Sequence, residues 1–197
     1  MKKLTTILLI GCLAILSVSA APYYDTGSQI FTITAGPTVP LTMTTFKGED
    51  NTLVGPGEKG THTTLGGYGS ITYQVFTNPY IALGGELGYQ FNFAMDGKIF
   101  TSVPILFKTT FFPVQGRFEL PIGLGLGMDY ISYDGMSLMS FGITADIGFR
   151  WYFTNEWGMG IHTGISVIPE LYVTEDKIDH NAISTFVPVT LSVAYRH

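Results

Sequence analysis

The stretch that decides the fold is residues 80–93, YIALGGELGYQFNF. Taken at period two, Ile81, Leu83, Gly85, Leu87, Tyr89, Phe91 and Phe93 share one face, while Ala82, Gly84, Glu86, Gly88, Gln90 and Asn92 share the other. That alternation is the mark of a β-strand. Its length is informative too. Strands in soluble proteins usually run about 5–6 residues, whereas a tilted strand crossing a bilayer needs about 9–11. One face holds a carboxylate and two amides among glycines. The other is apolar apart from Gly85 and the Tyr89 hydroxyl. The segment reads as one stave of a membrane barrel, with its large apolar side chains turned towards lipid.

Composition agrees with this reading. The chain has 197 residues, enough for one domain, and is 46% hydrophobic and 14% aromatic but only 13% charged. A soluble domain carries about twice that share of charge. Such a chain would suggest membrane helices, yet after the N-terminus no apolar run reaches the roughly 18 residues that a spanning helix needs. A closed β-barrel is the other structure that satisfies every backbone group in lipid. An all-β, transmembrane, antiparallel up-and-down barrel of about eight strands is therefore expected.

The first twenty residues read as an export signal, with Lys2 and Lys3 ahead of an apolar core from Leu8 to Leu16 and small residues at Val18-Ser19-Ala20. Cleavage after Ala20 divides the chain into a signal peptide, 1–20, and a barrel domain, 21–197. Leu9-Ile10-Gly11-Cys12 also resembles a lipobox, which would acylate Cys12. In that case Ala14-Ile15-Leu16, which looks like signal core, would belong to the mature chain. With cleavage after Ala20 the only cysteine departs and no disulfide can form.

Further strands alternate along the chain. Phe31, Ile33 and Ala35 mark a first strand over 28–39, and Leu65, Ile71, Tyr73 and Val75 a second over 64–76. Asn78-Pro79 is a turn signal before the stave quoted above, and Asp96-Gly97 is a hairpin signal after it. A fourth strand follows over 99–112. Phe118, Leu120, Ile122, Leu124, Leu126, Met128 and Tyr130 form a fifth apolar row, facing Arg117, Glu119, Pro121, three glycines and Asp129. Later rows begin at Met139, Met159 and Thr185. Tight turns near Asn78, Val114 and Asn155 alternate with other loops, two of them long: 40–61 and the acidic 169–182. Bacterial outer-membrane barrels have that plan, with short periplasmic turns and longer outer loops. Tyr80, Phe111, Phe149, Trp151, Phe153 and Trp157 would form the periplasmic aromatic belt, and Tyr89, Phe91, Phe93, Tyr130 and Phe141 the outer one.

Charge placement is the sharpest check. This register puts Glu86, Glu119, Asp129 and Asp146 in the lumen with Lys108, Arg117, Arg150, Arg196 and the imidazole of His162. Four acids meet four bases, and none faces lipid, where a charge at the midplane costs up to about 2–4 kcal/mol. Setting aside the two signal lysines from the 10 basic residues leaves 8 against 15 acidic ones, so the net −7 belongs to the loops and the N-terminal segment. A soluble up-and-down barrel would invert the faces, but here the glycine-rich row suits a crowded interior and the apolar row carries the bulk.

The chain from Ser28 to His197 resembles the small outer-membrane barrels of the OmpX, OmpA and OmpW type. The resemblance rests on the strand-and-turn plan and on segments such as Val103-Pro104-Ile105-Leu106-Phe107-Lys108 leading into a tight turn. It implies a place in the outer membrane, contact with its lipid, and insertion by the barrel-assembly machinery. One departure is plain: such barrels usually end in an aromatic residue, and this chain ends Tyr195-Arg196-His197.

No nucleophile elbow, P-loop or paired-cysteine metal site is present, and no catalytic role, cofactor, metal or nucleic-acid partner is expected. His62 with Thr64 and His162 with Ser166 are the candidate catalytic pairs, but neither has an identifiable acid partner in the sequence. Glu175, Asp176, Asp179 and His180 form an acidic loop cluster that could gather a divalent cation, although acidic loops are usually a solvated face. Pro37 and Pro188 fall on the first and last strands, whose pairing closes the barrel, and proline cannot donate to that ladder. They mark either a weakened seam or two unpaired strand ends. The expected role is structural or surface-interacting, through acidic outer loops and an extracellular ligand. The alternative is a narrow OmpW-like channel for small or hydrophobic solutes.

Overall fold

Each alternating stretch becomes a strand that pairs with its sequence neighbours. The computed structural model describes residues 22–46, 52–58, 60–171 and 181–197. They form β1 (Gln29–Thr45), β2 (Thr52–Val54), β3 (Thr63–Asn78), β4 (Ile81–Ala94), β5 (Ile99–Phe111), β6 (Phe118–Glu119), β7 (Ile122–Tyr133), β8 (Met136–Tyr152), β9 (Trp157–Glu170) and β10 (Ala182–Arg196). Among the described residues there is no helix. The signal segment 1–20, Cys12 and the loop cluster Glu175, Asp176, Asp179 and His180 lie outside the described residues.

The sheet closes on itself. Phe31 of β1 pairs with Tyr73 of β3 on one side and with Tyr195 of β10 on the other. All pairings are antiparallel, and β2 and β6 are short additions to an eight-stave cylinder. No stave is left with a free edge, the condition that lipid imposes on a sheet. The apolar rows face outward: Leu87, Phe107, Leu126, Phe141 and Leu191 are all exposed, as are the belt aromatics Tyr80, Phe149, Trp151 and Trp157.

Side-chain chemistry sets the turns. Asn78 Oδ1 accepts from the amides of Tyr80 (2.9 Å) and Ile81 (3.0 Å), replacing backbone partners lost at the turn. At the other end Asp134 and Gly135 both take positive φ, 49° and 75°, the two-residue hairpin that suits the twist of paired strands.

Three boundaries differ from the sequence reading. β1 does not stop near Val39; it runs to Thr45, where Thr42–Thr44 pair with β2 and with β10. The stretch 40–61 is thus partly a strand extension rather than a plain loop, because β-branched threonines suit a half-buried pleated surface. The fifth apolar row is broken at Leu120–Pro121, where proline lacks the amide that the ladder needs. Finally, Pro37 and Pro188 are not at strand ends. The β1–β10 ladder is interrupted between Ala35↔Leu191 and Thr38↔Pro188 but resumes in the same register. The two strands stay in contact there: a Cβ added to Gly36 would lie 2.1 Å from the Val189 carbonyl oxygen.

The interior is layered. At the end with the tight turns, the segment ahead of β1 and the C-terminus, Tyr24, Ile30, Phe76, Ala82 and Phe112 form a buried apolar cluster, the Tyr24 and Phe76 rings stacked at 3.9 Å. At the opposite end Phe100, Ile131, Ile168 and Phe186 form a second, with Phe100 and Phe186 stacked at 5.4 Å. Polar and charged side chains fill the space between.

Candidate functional site

The middle of the lumen is organised by Lys108 on β5. Its Nζ lies 2.5 Å from Glu86 Oε2 on β4 and 2.8 Å from Asp146 Oδ2 on β8. The Tyr68 hydroxyl donates to Glu86 Oε1, and Thr72 donates to Oε2 at 3.4 Å. All five project inward because the pleat leaves them on the polar row. Asp146 can reach across the lumen because the residue opposite it is Gly123, where an added Cβ would stand 2.6 Å from Asp146 Oδ2. His162 on β9 accepts at Nε2 from Arg150 Nε (3.4 Å), and the same atom lies 3.0 Å from Ser192 Oγ. Its partners are therefore Arg150 and Ser192, not Ser166.

Nearer the tight turns, Arg196 Nη1 meets Glu119 Oε1 at 2.7 Å and the Gly116 carbonyl at 2.8 Å, while its Nε donates to the Asn155 carbonyl at 2.7 Å. Its guanidinium sits 3.8 Å from the Tyr23 ring centroid and 3.6 Å from that of Tyr152. The Tyr24 hydroxyl also donates to Glu119. The segment ahead of β1 is thus tucked into the barrel mouth, stacked on Phe76 and tied to an ion pair.

The structure corrects the expected balance of four acids and four bases. Arg117 is exposed, outside the lumen. Gly116 takes φ 118°, which ends the inward alternation before the strand begins and leaves Arg117 in the turn. The inward bases are then Lys108, Arg150 and Arg196, matched by Glu86, Asp146 and Glu119. Asp129 stands apart: it is buried and accepts from Ser102 Oγ at 2.7 Å, and no basic side chain among the described residues pairs with it. Glu170, which the sequence reading left in a loop, joins it at the same end as the last residue of β9, accepting from Ser184 Oγ at 2.9 Å. His62 is exposed in the turn before β3, with φ 56°.

At the end opposite the tight turns, Lys98 Nζ bridges Asp134 (2.5 Å) and Asp96 (3.4 Å), and the Tyr133 hydroxyl donates to Asp96 at 3.0 Å. The Lys98 backbone amide, first, and then these side-chain donors hold the Asp96 carboxyl below its usual range. Among the described residues no group of three His, Cys, Asp or Glu is placed to hold a metal ion.

The sequence reading missed Tyr24, Tyr68, Tyr152 and Ser192 as partners of the charges. It also missed both apolar layers, although Phe76, Phe100, Ile131, Ile168 and Phe186 all sit on the inward parity of their strands.

Comparison with known proteins places this architecture. Neisserial surface protein A superposes with a TM-score of 0.58, covering 84% of this chain and 96% of that one at 11% identity. The chain has the fold of the small outer-membrane β-barrels. A protein-family model matches residues 16–195, and the chain belongs to that family. Ail, the attachment invasion locus protein of Yersinia pestis, is also similar to this barrel (TM-score 0.43, 12% identity, 87% of this chain and 99% of that one). So is OprG from Pseudomonas aeruginosa (TM-score 0.43, 12% identity, 88% and 98%). In sequence, the barrel matches an uncharacterized protein of Borreliella burgdorferi, 31% identical over 121 residues, 48% of this chain and 55% of that one. An uncharacterized protein of Treponema pallidum is 25% identical over 114 residues, 57% and 52% respectively. The barrel spans about half the length of the curated relatives it matches.

Proposed function

We propose that this barrel is a closed wall element that acts from its outer end, in a structural or surface-interaction role, rather than by passing solute or by catalysis. One observation carries the reading: the lumen is filled in three tiers, an aromatic layer at each end and paired charges between. In an eight-strand barrel side chains fill the interior, and the polar cavity beside Lys108 and Asp146 amounts to only about 50 Å³. That is room for a water or two.

The test is planar-bilayer recording with the refolded chain, alongside surface labelling of intact cells. Sealed bilayers and labelled outer turns support the proposal. Steady single-channel conductance would overturn it and favour the alternative, a narrow channel for small or hydrophobic solutes. One feature gives that alternative its own ground: the ladder between β9 and β10 is also interrupted, between Phe186↔Ser166 and Val189↔Thr163, and Pro188 lines the polar cavity there. Uptake of an apolar solute that falls in Pro188→Val would support it. Uptake unchanged when the protein is removed would dismiss it.

A further inference from the structure

The outer mouth of the lumen holds a cavity of about 280 Å³, walled by β1, β5, β7, β9, β10 and the turn before β3. Phe100, Phe186 and Tyr133 supply aromatic surface, and Glu170 with Ser184 supplies a carboxylate and a hydroxyl. Glu170 is only 9% exposed. Its one side-chain hydrogen bond among the described residues is from Ser184, and no described lysine or arginine pairs with it. Asp129, equally without a basic partner, adds a second negative charge at this end. Every buried base in the rest of the lumen has an acid or a buried polar group against it, while the buried carboxylates with no described basic partner, Asp129 and Glu170, lie at the end that holds this aromatic-lined cavity.

A carboxylate taken out of water without a cation is costly, and aromatic faces attract cations through their quadrupole. Both features favour the same ligand chemistry. We propose that the outer mouth is a binding site for a small organic cation: an alkylammonium group whose charge pairs with Glu170 while its aliphatic part lies on Phe100 and Phe186. The cavity sits just below the usual range for ligand sites, about 300–1,000 Å³, which suits a short amine or the ammonium end of a larger molecule. This assignment rests on the proposed outward action of the barrel only for the ligand's side of approach.

The experiment is calorimetric titration of the full purified chain in detergent micelles with butylammonium chloride, with n-butanol as the uncharged probe of equal chain length. Butylammonium should bind at least tenfold tighter than butanol. Glu170→Gln should remove at least tenfold of that affinity, and Phe186→Leu several-fold, each variant keeping the heat-modifiable gel migration of a folded barrel. Equal binding of the two probes, or unchanged affinity in Glu170→Gln, would overturn the proposal. Butylammonium binding by a chain that also conducts ions would defeat the closed-wall reading and leave this site standing. A silent chain that ignores butylammonium would do the reverse.

Discussion

Replacing Lys108 by methionine tests the layered lumen most directly. The substitution keeps the length of the side chain and removes its charge, leaving Glu86 and Asp146 facing one another with no cation between them. Glu86 is 3% exposed and Lys108 13%, so water screens the loss poorly. Removing one member of a buried ion pair costs about 3–5 kcal/mol, because the remaining charge is left uncompensated. Replacing a whole buried ionic group is often neutral, however, so Glu86→Gln, Lys108→Met and Asp146→Asn together should recover most of the loss. The assay is urea unfolding in phospholipid bilayers, followed by fluorescence of Trp151 and Trp157, which face outward and leave lipid on unfolding, with gel migration as a second probe. A Lys108→Met protein within about 0.5 kcal/mol of the parent, the range of an ordinary surface substitution, would refute the reasoning. So would a triple variant no more stable than the single one.

The remaining expectations follow from the same geometry. Leu126→Lys places a charge on the lipid face, where Leu126 is 57% exposed, and should cost about 2–4 kcal/mol near the midplane, read as a lowered folding yield into vesicles. Phe76→Ala removes a fully buried ring from the layer beneath Tyr24 and should cost about 3–5 kcal/mol in the same urea titration. Gly123→Ala inserts a methyl group where Asp146 now lies, at a cost of about 1–3 kcal/mol, and it should blunt the further effect of Lys108→Met. At the outer turn, the Asp96 carboxyl titrates below its ordinary range, so its favourable contribution is present at neutral pH and lost as pH falls through that lowered value. Lys98→Ala removes the ammonium but keeps the backbone amide, so by NMR titration Asp96 should move only part of the way back.

The barrel was legible in the sequence because a membrane strand writes its environment twice, once as period and once as length. Residues 80–93 become β4 with the expected faces, and the inward placement of Glu86, Lys108 and Asp146 follows from parity alone. What escaped the reading lies where parity stops being sufficient. Gly116 breaks the alternation through its positive φ, so Arg117, on the inward parity by counting, ends up in the turn. Tyr24 lies ahead of every strand, and no local pattern says that it folds back onto Phe76 and Glu119. Sequence alone leaves Pro37 and Pro188 as either a seam or strand ends. Their position within continuous strands depends on register across the closing pair, which joins residues from 137 (Thr45 and Ala182) to 166 (Ile30 and Arg196) apart in sequence. Phe76, Phe100, Ile131, Ile168 and Phe186 were visible in principle: large apolar residues on the polar row, each towards the end of its strand, are the trace of a capped lumen.

That pattern explains why charges are kept in the lumen at all. Buried ion pairs are weak contributors to stability in themselves, and apolar side chains could fill an eight-strand interior as well. A β-strand shifted by one residue, however, exchanges its two faces completely. If both rows were apolar, a slipped stave would meet lipid as comfortably as the native one. With Glu86, Lys108, Asp146, Arg150 and Glu119 spread over β4, β5, β8 and β6, a one-residue slip of any of these strands turns at least one charge into the bilayer, at about 2–4 kcal/mol each near the midplane. The ionic layer therefore acts chiefly against wrong registers. The staves β9 and β10 rely on His162, Ser192 and Arg196 for the same purpose, and Arg196, fixed between Tyr23 and Tyr152, sits on the strand whose correct register closes the barrel against β1.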